Sequence, residues 1–518
     1  MPFYTLTAIR MLATAIAFAS GPVFAGSNTV LGYDDARHLL ARTGFGPTEA
    51  EVRVYASLTR AEAAARILRE TRTAAVTPPP PSALDTSPLR PPRGETASEA
   101  ERKAFVQQQI REALELRGWW VQEMLATPSP LTERMTLFWH NHFVSAQPKV
   151  RITRLMYRQN ATLRQYALGN FGAFLHAIAK DPAMILYLDS VQNRKGAPNE
   201  NFAREVMELF TLGEGRYSEQ DVKEAARAFT GWSLERETGT FVFRRGIHDD
   251  GSKIVFGETG RFDGDAVLDL LLARPETAEF VTAKLWREFV SPDPDPAVVK
   301  QVARRFRESS YDIKIALREL LVSDAFYAPD NRGVLVKSPI ELVVGTLRQL
   351  DLAPGTALPF AVAAAGMGQN LMSPPNVRGW PGGETWINTT TLLARKQYLD
   401  RVTRAGEGDP LPVIGAGGGA TPDMERSAPK RALAPQGVPD DDKARQQRFL
   451  RQMERGLASL EFDSARWMAQ FPGANAAQRA RAAQQLLLAT APQQRPDYDA
   501  DSRTLVHAIV LDAAYQLK

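Results

Sequence analysis

Between Leu131 and Trp232 apolar residues recur at helical spacing almost without interruption, broken only at Pro148, Asp181-Pro182 and Ala197-Pro198. A hundred residues of this pattern cannot be laid out as a sheet, because a strand alternates its faces every second residue. The same spacing governs Ala97–Ala126, Asp263–Ala273, Pro275–Phe289, Pro296–Glu308, Ile313–Ser323 and Ser338–Leu350. Strand signals occur only where Thr240–Phe243 and Ile254–Phe256 flank a Gly/Asp-rich turn, which predicts one small hairpin near 240–256. The expected fold class is all-α, a multi-helix globular array carrying that hairpin. At 518 residues the chain exceeds what one core usually organises, so two or more packed lobes are expected.

The segments divide the chain further. Residues 1–25 read as a secretory signal: Arg10, the apolar Met11–Ser20 and the small-residue site at Val23-Phe24-Ala25, with cleavage near Ala25. That apolar run is too short to span a bilayer, which needs roughly 20 residues, so no integral membrane span is expected. A main helical domain covers 30–404, with a proline-rich connector at 76–93 inside it. Glycine runs and mixed charge mark 405–444 as a flexible linker or insertion, and 445–518 as a C-terminal helical segment packing on the main domain. Cysteine is absent, which removes disulfides, thiolate metal sites and Cys nucleophiles. The net charge of +4 is too small to make nucleic acid the partner. A periplasmic or secreted location follows from the signal.

Candidate chemistry concentrates in the middle. In Glu133–Phe143 (ERMTLFWHNHF) His140 and His142 lie about 200° apart on a helix, so one metal cannot take both while the helix stays regular. They read either as residues capping a helix end or as a ligand and general base. In Pro198–Leu212 (PNENFAREVMELFTL) Glu200-Arg204-Glu208 forms an i,i+4 ladder on a helix apolar enough to be buried nearly all round. Asn201, Glu205 and Glu208 share a neighbouring face, and buried charges there need partners, which predicts an interior polar network. Ser218 and Asp221 form a capping box, leaving Glu224 and Arg227 to join the network.

Glu205 and Glu208 are the candidate acid–base pair, with His140 and His142 beside them as proton carriers. Arg204, Arg227, Asn201, His248, Trp380 and Trp386 are candidate substrate contacts. His248 sits in a turn that reads as exposed, and the two tryptophans either stack on sugar rings or dock their loop. Asp189, Glu205, Glu208 and Glu224 are candidate ligands for a divalent metal ion, without the Glu-x-x-His of di-iron bundles. Asp189 draws notice because it ends a helix, where a negative charge opposes the dipole.

The segments LLARTGFGPT, ERMTLFWHNHF, PNENFAREVMELFTLGEGRYSEQDVKEAARAFTGW, HDDGSK and PPNVRGWPGGETWIN resemble the exported bacterial family known as domain of unknown function 1800. The resemblance implies export and a sulfatase-like exported partner protein, hence work on an envelope or extracellular polymer, for which an envelope polysaccharide is the expected example, and it carries over no catalytic residue. Two readings stand: a hydrolytic or binding site, cation-assisted or not, and a non-catalytic scaffold or partner-binding protein of the cell envelope.

Overall fold

Short-range capping decides where the helices begin. Thr48/Glu51, Thr59/Glu62, Ser98/Glu101, Ser218/Asp221 and Ser338/Glu341 form reciprocal capping boxes, each satisfying two backbone N–H groups at a helix start. In the computed structural model, which describes residues 28–85, 98–235, 237–406, 456 and 460–518, the chain is mostly α-helical. The expected signal and most of the expected linker lie outside the described residues, as does the connector beyond residue 85. Within the connector, the Val76 and Thr77 N–H groups donate to the buried Glu123 carboxylate, and Pro81–Leu84 makes a 3-10 turn.

The long helix Glu99–Ala126 is the spine. Pro130–His142 and Thr153–Tyr166 pack on it and on each other, and Leu358–Gly366 lies across it where Gly118 leaves room. A Cβ at Gly118 would stand 3.2 Å from the Leu358 backbone. Among these helices the Arg164 guanidinium grips the fully buried Glu133 carboxylate through two nitrogens, and Trp120 Nε1 donates to the same carboxylate at 2.9 Å.

Buried apolar side chains from Leu31 to Tyr515 form one connected core. The reason lies at the C-terminal end, which folds back onto the helices Pro339–Gln349 and Thr389–Thr403. Trp467 Nε1 donates to the Gln349 carbonyl at 2.7 Å, Tyr515 Oη lies 2.9 Å from Thr346 Oγ1, and Arg395 donates to Gln516.

The single expected hairpin is two. Strand β1 (Trp232–Leu234) pairs antiparallel with β2 (Phe241–Phe243), and β3 (Lys253–Val255) with β4 (Glu258–Gly260). The two apolar runs thus pair with nearer, less apolar segments and not with each other. Among the described residues no helix is long and apolar enough to cross a membrane.

Candidate functional site

The helix that starts at Asn201 does not stay regular. Asn201–Glu205 is α-helical, but Val206–Thr211 is a π-helix, with Leu212 N–H donating to the Met207 carbonyl and Thr211 Oγ1 to the Val206 carbonyl. A wide turn of this kind shifts the register of everything after it, and such turns recur at functional sites. Its displaced carbonyls find unusual partners. Phe210 O lies 3.1 Å from His142 Nε2, and Leu209 O accepts from Lys284 Nζ at 3.1 Å. Since a carbonyl can only accept, His142 carries its proton on Nε2, and its Nδ1 lone pair receives Lys284 at 3.1 Å. Burial pushes the Lys284 ammonium down to about 8, and burial with Lys284 nearby holds His142 neutral, well below the usual imidazole range. His142 is thus a brace for the π-turn.

The register shift also breaks the expected ladder. Arg204 pairs with Glu200 at 3.2 Å and with Glu219 at 2.7 Å, whereas Glu208 turns away to accept from Tyr217 Oη and, at 3.0 Å, from Arg378. The network is also less interior than its sequence suggested: the side chains of Glu200 and Arg204 keep more than a third of their exposure. Residues 202, 203, 206, 207 and 210 are buried as expected, Leu209 is only partly so, and the polar side forms a rim facing solvent.

On that rim Glu205 is half-buried and takes no hydrogen bond among the described residues. Burial first, then the charge of Glu208, raise its pKa above the usual carboxylate value. Asn201 reaches Asp189 at 3.5 Å, and Lys149 pairs with Asp189 at 2.7 Å. That ammonium explains how Asp189 is tolerated at its helix end, where the backbone turns left-handed (φ 57°). Asn201, Glu205 and Glu208 therefore share one rim with Asp189, Lys149, Tyr217 and Arg378.

The other candidates lie elsewhere. Arg227 is spent on Glu224 at 2.7 Å, on Asp249 at 2.8 Å and on the Ser252 carbonyl. Glu224 accepts from the Ile254 N–H and Asp221 from the Phe256 N–H, so this helix clamps the β3–β4 hairpin. Arg227 holds the Asp249 carboxyl down at about 2. His248, expected to be exposed, is buried, with Nδ1 at 2.8 Å from the Thr230 carbonyl and its ring against Phe243. The four candidate metal ligands do not converge: Glu224 braces a hairpin, Asp189 and Glu208 face cations. Among the described residues no group of three or more His, Asp or Glu side chains is placed to hold a metal ion.

His140 and His142 project to different sides, as a regular helix requires. His140 is fully buried, its ring 5.4 Å from Trp120 and 5.7 Å from Trp380, and desolvation lowers its pKa to about 4. Neither tryptophan of the 376–388 loop is an open platform: Trp380 and Trp386 are both buried, so they dock the loop. Asn141, between the two histidines, does the holding. Its Oδ1 accepts from Trp380 N–H at 2.6 Å and its Nδ2 donates to Trp380 O at 3.2 Å.

This docking brings Arg378 over Glu208, and it depends on Gly379, whose φ is 80° and whose Cβ would overlap Asn141. Gly379→Ala should therefore cost about 1–3 kcal/mol through backbone strain and expel the loop. Tryptophan emission would shift to the red as Trp380 meets water. A variant with wild-type emission and melting would remove the docking role.

Sequence reasoning missed Arg378, Tyr217, Lys284 and Asn141. Asn141, Tyr217 and Arg378 stood within segments already singled out; Lys284 did not. No curated protein matches this chain, and no solved structure does. The sequence model of the family described as Protein of unknown function (DUF1800) matches residues 38–517, nearly the whole chain, and the chain belongs to that family.

Proposed function

We propose that this protein works outside the cytoplasm, in the periplasm or secreted, where it binds and hydrolyses a polar polymer of the polysaccharide class at the rim formed by Asn201, Glu205, Glu208 and Arg378. One observation carries the reading: Glu205 is a half-buried carboxyl with no hydrogen-bond partner among the described residues, beside a second carboxylate that has two. Acid–base hydrolysis needs two carboxyl groups in unlike environments, one protonated and one ionised. Burial and the Glu208 charge favour the protonated form of Glu205. Arg378 and Tyr217 donate hydrogen bonds to the two oxygens of Glu208. Glu205 would then give its proton to the leaving oxygen as the glycosidic bond breaks. Glu208 would take a proton from the attacking water, and solvent exchange would reset both. Asn201 and Arg378, the exposed members, suit contacts to hydroxyl and acidic groups.

A second reading, the non-catalytic scaffold, is favoured by Arg204 and Arg227, whose guanidinium groups are spent on carboxylates within the protein. A panel of purified envelope and extracellular polysaccharides, read by release of reducing ends, separates the two. Wild-type protein should release ends from at least one member, and Glu205→Gln should lower that rate by about 100-fold or more with an unchanged melting curve. Folded Glu205→Gln with full activity would remove Glu205 from the chemistry. No release from any member would leave the scaffold reading.

A further inference from the structure

A second concentration of charge lies on the helix Pro296–Glu308, beside the start of the helix Pro275–Phe289. Val299, Val302 and Phe306 turn one side of Pro296–Glu308 into the core. Lys300, Arg304 and Arg307, at i, i+4 and i+7, therefore line up on its exposed side. With Pro275, Glu279 and Glu308 they bound an open groove of about 400 Å³. Sites for small organic ligands span roughly 300–1,000 Å³, so the groove has room for a piece of a chain and not only for an ion.

The acids of this groove are engaged elsewhere and its cations are not. Glu279 pairs with Arg216 at 3.6 Å and Glu308 with Arg305 at 3.6 Å, both arginines from outside the lining. Lys300, Arg304 and Arg307 make no ion pair among the described residues. Arg307 donates to the Ala273 carbonyl at 2.9 Å, which fixes its guanidinium at the edge of the groove. A cleft lined by cations of this kind concentrates anions from solution. Successive turns of a helix stand about 5.4 Å apart, so the row suits a negative charge that repeats along a chain. Guanidinium forks match carboxylates two bonds at a time. The lining holds no aromatic ring on which a nucleobase could stack, and only Ala303 and Pro275 are apolar, too little to enter a lipid surface.

The groove also adjoins the rim. One short loop, Gly213–Tyr217, serves both: Tyr217 donates to Glu208, Glu214 pairs with Arg378 at 2.7 Å, and Arg216 reaches Glu279. A chain held in the groove thus lies beside the carboxyl pair.

We propose that this groove binds the acidic units of a carboxylated polysaccharide, with Lys300, Arg304 and Arg307 as its contacts. As a subsite for the polymer cleaved at the rim it rests on the hydrolytic reading, whereas the binding itself does not. The test titrates sodium polygalacturonate, and separately neutral dextran, into the full-length protein at low ionic strength, with binding read by calorimetry. Wild-type protein should bind polygalacturonate saturably, lose affinity as salt is added, and ignore dextran. Lys300→Gln/Arg304→Gln should lower that affinity about tenfold with an unchanged melting curve, since both side chains are exposed. Arg102→Gln/Arg111→Gln removes the same charge from exposed positions on the spine helix and should leave binding unchanged. The proposal is overturned if wild type does not bind, or if dextran or duplex DNA binds as tightly. It is overturned equally by a groove double variant that binds as wild type does, or by a control double variant that loses as much. Wild-type protein that binds polygalacturonate through the groove without releasing reducing ends supports the proposal and tells against the rim chemistry alone.

Discussion

Replacing Arg164 with methionine should destabilise the fold by about 3–5 kcal/mol, the cost of leaving the Glu133 carboxylate buried without its counter-charge. Both side chains are essentially inaccessible to water, and the pair is held by two hydrogen bonds from one guanidinium, with Trp120 adding a third donor to the same carboxylate. The geometry leaves Glu133 no route to solvent without moving the spine helix. The companion variant separates charge from packing. Glu133→Gln in the Arg164→Met background removes the stranded charge yet keeps an oxygen for Trp120, so it should recover most of the loss. Urea unfolding of the single and double variants measures both. A double variant no more stable than Arg164→Met would show that the loss comes from packing. The rim at Glu205 should feel little of this, so binding by the folded single variant should survive at low urea.

Much of the helical scaffold was legible because its determinants are local. Ser, Thr or Asp three residues before an acid announces a capping box, and Pro275–Phe289 and Pro296–Glu308 begin and end where proline, caps and apolar spacing put them. Strand pairing was not legible. Phe241–Phe243 and Ile254–Phe256 look like partners, but β4 is Glu-Thr-Gly, with no β-branched or aromatic run to announce it. Its pairing comes from a tight turn and from Asp221 and Glu224 bracing β3 from a neighbouring helix, a tertiary effect.

The site was half legible for a related reason. Asn201, Glu205 and Glu208 do share a rim, because most of that segment keeps its helical spacing. The π-turn is invisible to a 3.6-residue period, so the Glu200-Arg204-Glu208 ladder was read one bond too far. Arg378 reaches Glu208 from a loop whose glycines and prolines look like connector, and Asn141 holds that loop from the end of the helix Pro130–His142. His248 stood among aspartates that mark a turn, and only the Thr230 carbonyl and the Phe243 ring reveal why it is buried. The Arg164–Glu133 pair carried a usable signal. Glu133 shares the face of Leu137 and His140, so an acid there had to be either exposed or paired.

Acid should unfold this protein earlier than its carboxylates alone would dictate. His38, His140 and His142 are all buried and held neutral, His140 down to about 4 by desolvation and the other two well below the ordinary value of 6.5. Above pH 6.5 these rings are neutral folded and unfolded, and they contribute no pH dependence. As pH falls below 6.5 the unfolded chain takes up protons that the folded chain refuses, so stability falls with each step. For His140 the loss ends near pH 4, where the folded ring also protonates, and totals about 3 kcal/mol. Asp181 works in the opposite direction. Burial raises it to about 7, so the folded state holds a proton that the unfolded state releases near 3.8. Its contribution is complete at low pH and lost as pH rises through 7. Three imidazoles outweigh this one carboxyl, and the net slope between pH 7 and pH 5 should show stability decreasing toward acid. His140→Leu, which suits the faces of Trp120 and Trp380, should flatten that slope by about one proton, near 1.4 kcal/mol per pH unit. Asp181→Asn should steepen it. Urea midpoints at pH 7, 6 and 5 test both, and a His140→Leu protein with the wild-type slope would mean that His140 is not the group being protonated on unfolding.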